Sequence, residues 1–462
     1  MIHGHCDHAL LPDGWHANVS LRADASGRWA EVVPDTPRAD LPSLGRFVLP
    51  GMPNLHSHAF QRAMAGRAER YSRPDDSFWS WRETMYQHAG GMNPERLRII
   101  ARWLYTEMLE QGYTRVCEFH YVHHQADGKA YQPETAMADA LVAAAGEVGI
   151  GLTLLPTLYQ RGGFADQPLS PRQWRFQHAT ETFMRLCEAL AVAHEGGGVR
   201  VGAAIHSLRA VAPPTLTELL ADDFWHDRPL HIHIAEQRQE VEDCLQRHAR
   251  RPIELLFDTL AVDQRFCLVH ATHALPHERA LMASSGAVVG ICTTTEANLG
   301  DGLFPLKEWL DAGGEIGIGS DSQISVSPVE ELRWLEYGQR LLTRHRNISA
   351  SAAQPSTGAA LFAAALAGGA RAAHMPVGSF IGGDASLPSV GNRADLLVLD
   401  ERSPLLAGRG QAQLLDSWIF AGNSNLVRHV MVNGEWVVRD FQHRDEARIA
   451  ARYRAVIARL RV

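Results

Sequence analysis

From residue 47 onward, the chain alternates short apolar runs with longer amphipathic segments. This alternation is typical of repeated strand and helix units arranged around a parallel sheet. Eight such units predict the α/β class and a TIM-type (β/α)8 barrel. The apolar runs that we assign to barrel strands lie near residues 47–55, 113–119, 149–156, 199–206, 229–234, 266–270, 286–291 and 315–320.

The helix before the second of these strands has clear boundary signals. Asn93 suits the N-cap, Pro94 suits the first helical position, and Gly112 follows the last turn. Between them, apolar residues recur at helical spacing, at Leu97, Ile100, Leu104 and Met108. The sequence therefore predicts a helix that ends where the strand near 113–119 begins. The Ala- and Gly-rich stretch 357–373 holds too many small apolar residues for a flexible linker and predicts a buried helix.

Both ends of the chain depart from the alternating pattern. They contain short strand-like pieces, such as Asp395 to Leu399, and the turn signal Asn433-Gly434. We predict that the two ends form one small β-rich domain, residues 1–46 plus 380–462, with a helical tail at its C-terminal end. Residues 47–379 then form the barrel domain.

The strongest local signal for chemistry is an apolar strand that ends in His56-Ser57-His58. Histidines two residues apart on an extended chain point to the same side, as chelation of one metal ion requires. A second strand carries His231 and His233. These two share a face, so their spacing alone does not show which of them faces a metal.

Two further apolar strands end in His270 and Asp321. Taken singly, a buried histidine at a strand end is usually only hydrogen-bonded, and an aspartate there is usually a helix cap. Together, these residues and the histidines above lie at the carboxyl ends of predicted barrel strands, where TIM barrels place their active sites. Three imidazoles and one carboxylate leave a coordination position open for water, which is typical of a catalytic metal site.

The sequence resembles the amidohydrolase superfamily over nearly its whole length, and within it the deaminases that use one metal ion. The matching motifs are Pro50-Gly51-x-x-x-x-His56-x-His58, His233-x-x-Glu236, His270, Asp321 and the C-terminal stretch 390–399. In that family the histidine of His-x-x-Glu binds metal, so the resemblance favours His233 over His231. It implies one divalent metal ion, Zn²⁺, held by His56, His58, His233 and Asp321. We find no strand-end lysine that could be carbamylated to bridge two metals.

Four longer strings, residues 56–62, 79–83, 117–121 and 206–209, are more specific than the metal ligands. They resemble enzymes of this branch that hydrolyse N-formimidoyl-L-glutamate to N-formyl-L-glutamate and ammonia in histidine degradation. Such a small dicarboxylate amidine substrate needs arginine forks and a hydroxyl donor. The resemblance implies that Gln61 contacts the formimino group and that the carboxylates are bound by Arg82, Tyr121, His206 and Arg209.

Three residues are the expected catalytic groups of this reaction. Asp321 and His270 are both candidates to accept a proton from a metal-activated water, and the sequence does not divide that work between them. Glu236 is expected to carry a proton to the departing nitrogen, because ammonia leaves more readily than amide ion.

Two other functions are consistent with parts of this pattern. A related amidohydrolase could act on a heteroaromatic amine such as guanine, or on an aryl chloride, with the same metal site but without an arginine clamp. Taken singly, Arg82 or Arg209 would more often be a surface ion pair. A metal-holding binding protein without catalysis is an alternative of another class. The acid and base set of Glu236, His270 and Asp321 argues against it.

Composition excludes several broad classes of protein. A net charge of −8 argues against a nucleic-acid-binding surface. The six cysteines show no C-x-x-C pair, which fits a reducing compartment. No stretch approaches the ~18 apolar residues of a membrane span, and the N-terminus lacks a basic region followed by an apolar run. We therefore expect a cytoplasmic protein with no membrane partner, and the resemblance implies a homodimer.

Overall fold

The computed structural model describes residues 2–38, 40–70, 76–374 and 391–460. The strands in chain order are β1 (His3–Leu11), β2 (Gly14–Ala23), β3 (Trp29–Val33), β4 (Ser43–Leu49), β5 (Met52–Ser57), β6 (Tyr113–His120), β7 (Gly151–Leu158), β8 (Val199–Val201), β9 (Ala203–Ile205), β10 (Leu230–Ile234), β11 (Phe266–His270), β12 (Val288–Ile291), β13 (Glu315–Ile318), β14 (Leu396–Leu399), β15 (Val427–Val432), β16 (Glu435–Arg439) and β17 (Gln442–His443).

Helices fill most of the segments between the strands. In chain order they are α1 (Phe78–Gly90), α2 (Pro94–Gln111), α3 (Ala136–Val148), α4 (Thr180–His194), α5 (Pro213–Leu220), α6 (Arg238–His248), α7 (Pro252–Thr259), α8 (Pro276–Ser285), α9 (Thr293–Leu299), α10 (Leu306–Asp311), α11 (Pro328–Thr343), α12 (Thr357–Ala372), α13 (Gln411–Phe420) and α14 (Glu446–Ile457). In the described part of the chain, no helix is both long and apolar enough to cross a bilayer.

The predicted TIM-type barrel is confirmed. Parallel strands follow one another in the order β5-β6-β7-β9-β10-β11-β12-β13, and β8 pairs with β7 beside β9. A bridge between Ser57 and Asp321 joins the last position to the first and closes the barrel. The predicted fourth strand, near 199–206, is interrupted at Gly202, where a Cβ atom would lie 2.4 Å from the Pro229 carbonyl oxygen. Close approach of the neighbouring chain therefore requires glycine there.

The predicted first strand, near 47–55, is in fact two strands in two sheets. Residues up to Leu49 belong to β4, and the barrel strand β5 begins at Met52. Pro50 lies between them and has no N–H to donate to a sheet. Gly51 packs against β6, since a Cβ there would lie 2.2 Å from the Thr114 hydroxyl oxygen. The chain thus passes from the outer sheet into the barrel within two residues.

The two ends of the chain form a second sheet, as predicted. Its strand order is β17-β16-β15-β14-β4-β1-β2-β3, and only the β1–β4 pair is parallel. The C-terminal helix α14 packs on the barrel helix α2, where Tyr453 stacks on Trp103 with ring centroids 5.6 Å apart. The outer sheet is therefore anchored to the barrel by its own terminal helix.

The two helices predicted in detail are both present. Asn93 Oδ1 accepts a hydrogen bond from the Arg96 backbone N–H at 2.9 Å at the start of α2, and Gly112 ends that helix with a φ of +102°. The Ala- and Gly-rich helix α12 packs directly on the barrel. A Cβ at Gly368 would lie 2.0 Å from the Ile316 carbonyl oxygen in β13. Small residues are needed there because the helix backbone touches the strand that leads to Asp321.

Candidate metal centre and active site

Four predicted metal ligands converge at the carboxyl ends of the barrel strands. The His56 and His233 Nε2 atoms lie 3.0 Å apart. Asp321 Oδ1 lies 3.4 Å from His56 Nε2 and 3.3 Å from His58 Nε2. The ligand atoms of all four side chains lie within 4.8 Å of one another, and all four residues are buried. Such crowding of nitrogen and oxygen lone pairs is explained by a cation between them, so this donor set fits one divalent metal ion.

Backbone carbonyl groups orient two of the imidazoles. His58 Nδ1–H donates to the Phe119 carbonyl and His233 Nδ1–H donates to the His206 carbonyl, each at 2.8 Å. Both Nε2 atoms are therefore unprotonated and can bind metal. Burial lowers the pKa of His56 to about 3 and also lowers the pKa values of His58 and His233. The site thus presents neutral imidazoles, the form that metal binding requires.

Barrel closure places Asp321 beside the first strand. Its backbone N–H donates to the His56 carbonyl at 3.0 Å, and its carbonyl accepts from the His58 N–H at 3.2 Å. Asp321 has a φ of +43°, and His270 has a φ of +71°. These left-handed conformations are costly for residues other than glycine and cluster at functional sites. The chain ends two barrel strands with strained turns that aim both side chains inward.

Glu236 and His270 lie beside the metal ligands. His270 Nε2 is 3.7 Å from Glu236 Oε1 and 3.8 Å from Asp321 Oδ2, and its Nδ1 is 3.2 Å from Glu296 Oε1. Burial raises the pKa of Glu236 to about 7. Burial opposes a charge on His270, but the neighbouring carboxylates outweigh it and raise its pKa to about 10. A proton can therefore reside on Glu236 near neutral pH while His270 is cationic.

A cavity of about 530 Å³ opens above this centre and is lined by the predicted substrate-binding residues. Gln61 Nε2 donates to the Tyr121 hydroxyl at 2.9 Å. The Arg82 guanidinium lies 4.4 Å from the Trp79 ring centroid, and that of Arg209 lies 5.9 Å from the same ring. The structure therefore brings two guanidinium groups onto one indole at the cavity wall. The predicted site residues that line the cavity are His58, Gln61, Arg82, Tyr121, His206, Arg209, His233, Glu236, His270 and Asp321.

His206 stands between the metal ligands and the arginine groups. Its backbone carbonyl orients His233, and its ring lies 5.6 Å from the Tyr121 ring. Burial, followed by the charge of Arg209, holds the pKa of His206 well below its ordinary value. It can therefore contact a substrate as a neutral hydrogen-bonding group.

Several site residues could not be found from sequence motifs. Glu296 holds the His270 ring, but it lies in α9, after the next barrel strand β12, with no spacing that links it to His270. Glu240 is fully buried and accepts from the Glu236 backbone N–H at 3.1 Å. Glu240 lies four residues after Glu236, in a segment whose sequence predicts the acidic start of a helix and does not indicate a site residue.

Four other histidines have no predicted ligand role, namely His120, His123, His124 and His273. His120 and His123 are each only 3% exposed, and with His124 and His178 they form a packed cluster of rings beside β6. These two histidines are therefore buried packing residues of the barrel.

A closed parallel barrel with three histidines and one aspartate at its carboxyl ends defines the class of barrel hydrolases that depend on a metal ion. The family model described as "Amidohydrolase family" matches residues 47–437, and the chain belongs to this family. A formimidoylglutamate deiminase of Pseudomonas aeruginosa is 52% identical over 454 residues, which cover 98% of each chain. The family expectation from sequence is thereby confirmed.

Other relatives are more distant in sequence but share the fold. The crystal structure of an amidohydrolase from Brucella melitensis is 43% identical, with a TM-score of 0.91 over 99% of each chain. A 5-methylthioadenosine/S-adenosylhomocysteine deaminase of Natronomonas pharaonis is 26% identical over 93% of this chain and 91% of its own. An adenosine deaminase from Xanthomonas campestris with bound zinc has a TM-score of 0.79 at 20% identity, over 99% of this chain and 98% of its own, which shows the common fold alone.

Proposed function

We propose that the chain hydrolyses N-formimidoyl-L-glutamate to N-formyl-L-glutamate and ammonia, as a step of histidine degradation. The observation that carries this proposal is the pair of guanidinium groups, Arg82 and Arg209, on the wall of the cavity above the His/Asp centre. A substrate with two carboxylates matches two such groups. The 52% identity to a formimidoylglutamate deiminase over nearly the whole chain supports the same substrate.

The metal ion in this proposal is a single Zn²⁺ held by His56, His58, His233 and Asp321. Three imidazoles and a carboxylate are ligands that Zn²⁺ prefers. When bound, the ion supplies Lewis-acid chemistry that lowers the pKa of a coordinated water to about 7.

Two carboxyl groups move protons in the proposed reaction. Water adds to the amidine carbon, and its proton passes to Asp321. His270 already holds both ring protons next to three carboxylates, so it stabilises the developing negative charge on oxygen instead. Glu236 and then Asp321 donate their protons to the terminal nitrogen, the C–N bond breaks, and ammonia leaves. The hydroxyl proton of the intermediate passes to Glu236 as the C–O bond becomes the carbonyl of the formyl product, so both carboxyl groups return to their starting states.

The clamp holds the substrate while these protons move. Arg82 and Arg209 bind its carboxylates, with Tyr121 and His206 beside them. Gln61 Nε2 donates to the Tyr121 hydroxyl, and Gln61 Oε1 is buried with no hydrogen-bond partner among the described residues. That oxygen is placed to accept from the formimino N–H. Fixing both ends of the substrate supplies orientation, which is a large part of a catalytic effect.

The alternative functions fit the site less well. A heteroaromatic amine has no carboxylates to pair with the guanidinium groups of Arg82 and Arg209 on the cavity wall. A binding protein without catalysis has no need of an acid such as Glu236 within 3.7 Å of His270. Cytoplasmic location, expected from the sequence composition, and a homodimer, implied by the resemblance, stay predictions.

Ammonia release tests the proposed function directly. The zinc-loaded protein is incubated separately with N-formimidoyl-L-glutamate, N-formimidoyl-L-aspartate, guanine and 5′-methylthioadenosine, and a chelated sample serves as the control. The proposal predicts chelator-sensitive release chiefly from the glutamate compound. Release from an aromatic amine alone would keep the metal centre and refute the substrate.

A further inference from the structure

Three neighbouring barrel strands bring a second set of metal-binding side chains together. His270 ends β11, Cys292 follows β12, and Asp321 follows β13, and these strands are adjacent in the barrel. The ligand atoms of the three side chains lie within 4.8 Å of one another, and all three residues are buried. Cys292 belongs neither to the predicted primary metal centre nor to the substrate clamp.

The two oxygens of Asp321 face different groups. Oδ1 lies 3.4 Å from His56 Nε2 and 3.3 Å from His58 Nε2, in the primary centre. Oδ2 lies 3.8 Å from His270 Nε2. One carboxylate can therefore bind an ion on each side.

The Nε2 atom of His270 and the carboxylates around the ring favour a cation between His270, Cys292 and Asp321. His270 Nδ1 is held by Glu296 at 3.2 Å, so its Nε2 is the atom directed at Asp321. Glu296 Oε1 also accepts from the Cys292 backbone N–H at 3.0 Å, which ties the two candidate ligands to one carboxylate. Glu236 lies on the other side of the ring, at 3.7 Å. The carboxylates of Glu236, Glu296 and Asp321 surround the His270 ring, so a cation that displaces its Nε2 proton would find the negative charge that balances it already in place.

We propose that His270, Cys292 and Asp321 form a second site for a soft divalent cation, which Cd²⁺ or surplus Zn²⁺ fills beside the primary ion. Thiolate ligands select such ions over Mg²⁺ or Ca²⁺. On binding, the Cys292 S–H bond and the His270 Nε2–H bond break, a sulfur–metal bond and a nitrogen–metal bond form, and both protons pass to solvent. A filled site inhibits the enzyme, since it engages His270 and the free oxygen of Asp321. The inhibition rests on the proposed function, whereas the binding does not.

Cadmium titration of the protein loaded with one equivalent of Zn²⁺ tests this proposal. Sulfur-to-cadmium charge-transfer absorption reports only on thiolate ligands, and the primary centre contains none. We expect the absorption to saturate at one added equivalent, with loss of most of the ammonia-releasing activity in parallel. Cys292→Ser should abolish the absorption and the inhibition and keep the basal activity. Cys267→Ser changes another fully buried cysteine, in β11, and should behave like the wild type.

Each outcome of the titration has one meaning. Absence of the absorption in the wild type, or its persistence in Cys292→Ser, would overturn the second site. If the serine variant does not fold, Cys292→Ala takes its place in the titration. The ¹¹³Cd resonance of the wild-type protein is a second measurement. A chemical shift typical of a thiolate-bound ion supports the second site, and a shift outside that range overturns it. Absorption without inhibition would confirm the site and overturn the inhibitory effect.

Discussion

At the scale of single residues, the surroundings of Glu236 hold the pKa of its carboxyl group close to neutral pH. Glu236 is 5% exposed, and its Oε2 lies 3.6 Å from Arg209 Nη2. Burial raises its pKa to about 7, whereas the charges of His270 and Arg209 limit the rise. An acid with this pKa can give up a proton at neutral pH and regain it from solvent in each turnover.

Glu236→Gln should therefore bind metal but lose turnover. The amide keeps the shape of the side chain and cannot donate an acidic proton, so kcat should fall by about 10²–10⁴-fold. Metal content by atomic absorption and kcat for N-formimidoyl-L-glutamate check the two halves of this prediction. Glu308→Gln, on the surface helix α10, is a matched control that should change neither. A Glu236→Gln enzyme with near-native kcat would remove this residue from the acid role.

At the scale of elements, loops beyond the barrel hold the clamp residues in place. Arg161 Nη2 donates to the carbonyl groups of Leu208 at 2.9 Å and Val211 at 3.4 Å. The backbone N–H of Arg161 also donates to the Ala210 carbonyl at 3.0 Å. The turn that carries Arg209 is therefore fixed by the loop after β7.

Arg161→Met should loosen this turn and weaken substrate binding. Losing a charged hydrogen bond of about 1.5 kcal/mol or more predicts a KM at least ~10-fold higher, with a much smaller change in kcat. Arg161→Lys should restore part of the effect. Arg161 also forms an ion pair with Asp166, and Arg247 pairs with the same carboxylate at 3.4 Å, so Arg247→Met is the control. An unchanged KM in Arg161→Met, or an equal loss in the control, would show that Arg161 does not position Arg209.

Another element-scale prediction concerns a half-buried carboxyl between α2 and β17. Glu110 Oε1 accepts from the His443 backbone N–H at 2.9 Å, and burial raises its pKa from 4.5 to about 7. The folded protein thus holds this proton at a pH where the unfolded chain has released it. Its contribution to stability is therefore lost as pH rises from about 4.5 to about 7.

Glu110→Gln keeps the acceptor and removes the charge. Its advantage in stability over the wild type should grow by on the order of 1 kcal/mol between about pH 5 and pH 8, after allowing for partial exposure. Urea unfolding of both proteins at the two pH values measures this difference. A constant difference across that range would exclude Glu110 as the source.

At the scale of the whole molecule, the sequence predicts the barrel, the terminal sheet and the metal ligands because each depends on local order. Strand ends, apolar runs and the His-x-His spacing are each contained in a stretch of about ten residues or fewer, so they can be recognised in the sequence alone. The passage from β4 to β5 at Pro50 was not predicted, because a continuous apolar run does not show which sheet each half joins. Glu296 and Cys292 were not assigned either, since they meet His270 only after the barrel closes. The domain boundary at 46 and 47 stays a prediction, and that at 379 and 380 lies outside the described residues.

Metal removal should affect the whole barrel. The proposed ligands lie at the ends of β5 and β10 and in the turn after β13, so a bound ion would link three strand ends, including the pair that closes the barrel. A ligand that binds only the folded state raises its stability. The chelated protein should melt several degrees below the zinc-loaded protein in calorimetry, and added Zn²⁺ should restore the transition. Equal melting temperatures after confirmed loss of metal would contradict a site that spans these strands.

The central claim is that one metal centre and one carboxylate clamp act on the same dicarboxylate amidine. The most direct test compares kcat/KM for N-formimidoyl-L-glutamate and for N-formimidoyl-L-glutamine, which differ only in the side-chain carboxylate. Loss of a charge-assisted contact to the arginine clamp predicts a value for the glutamine compound lower by about 10²-fold. Equal values for the two compounds would show that the guanidinium groups do not select the substrate and would contradict the proposed function.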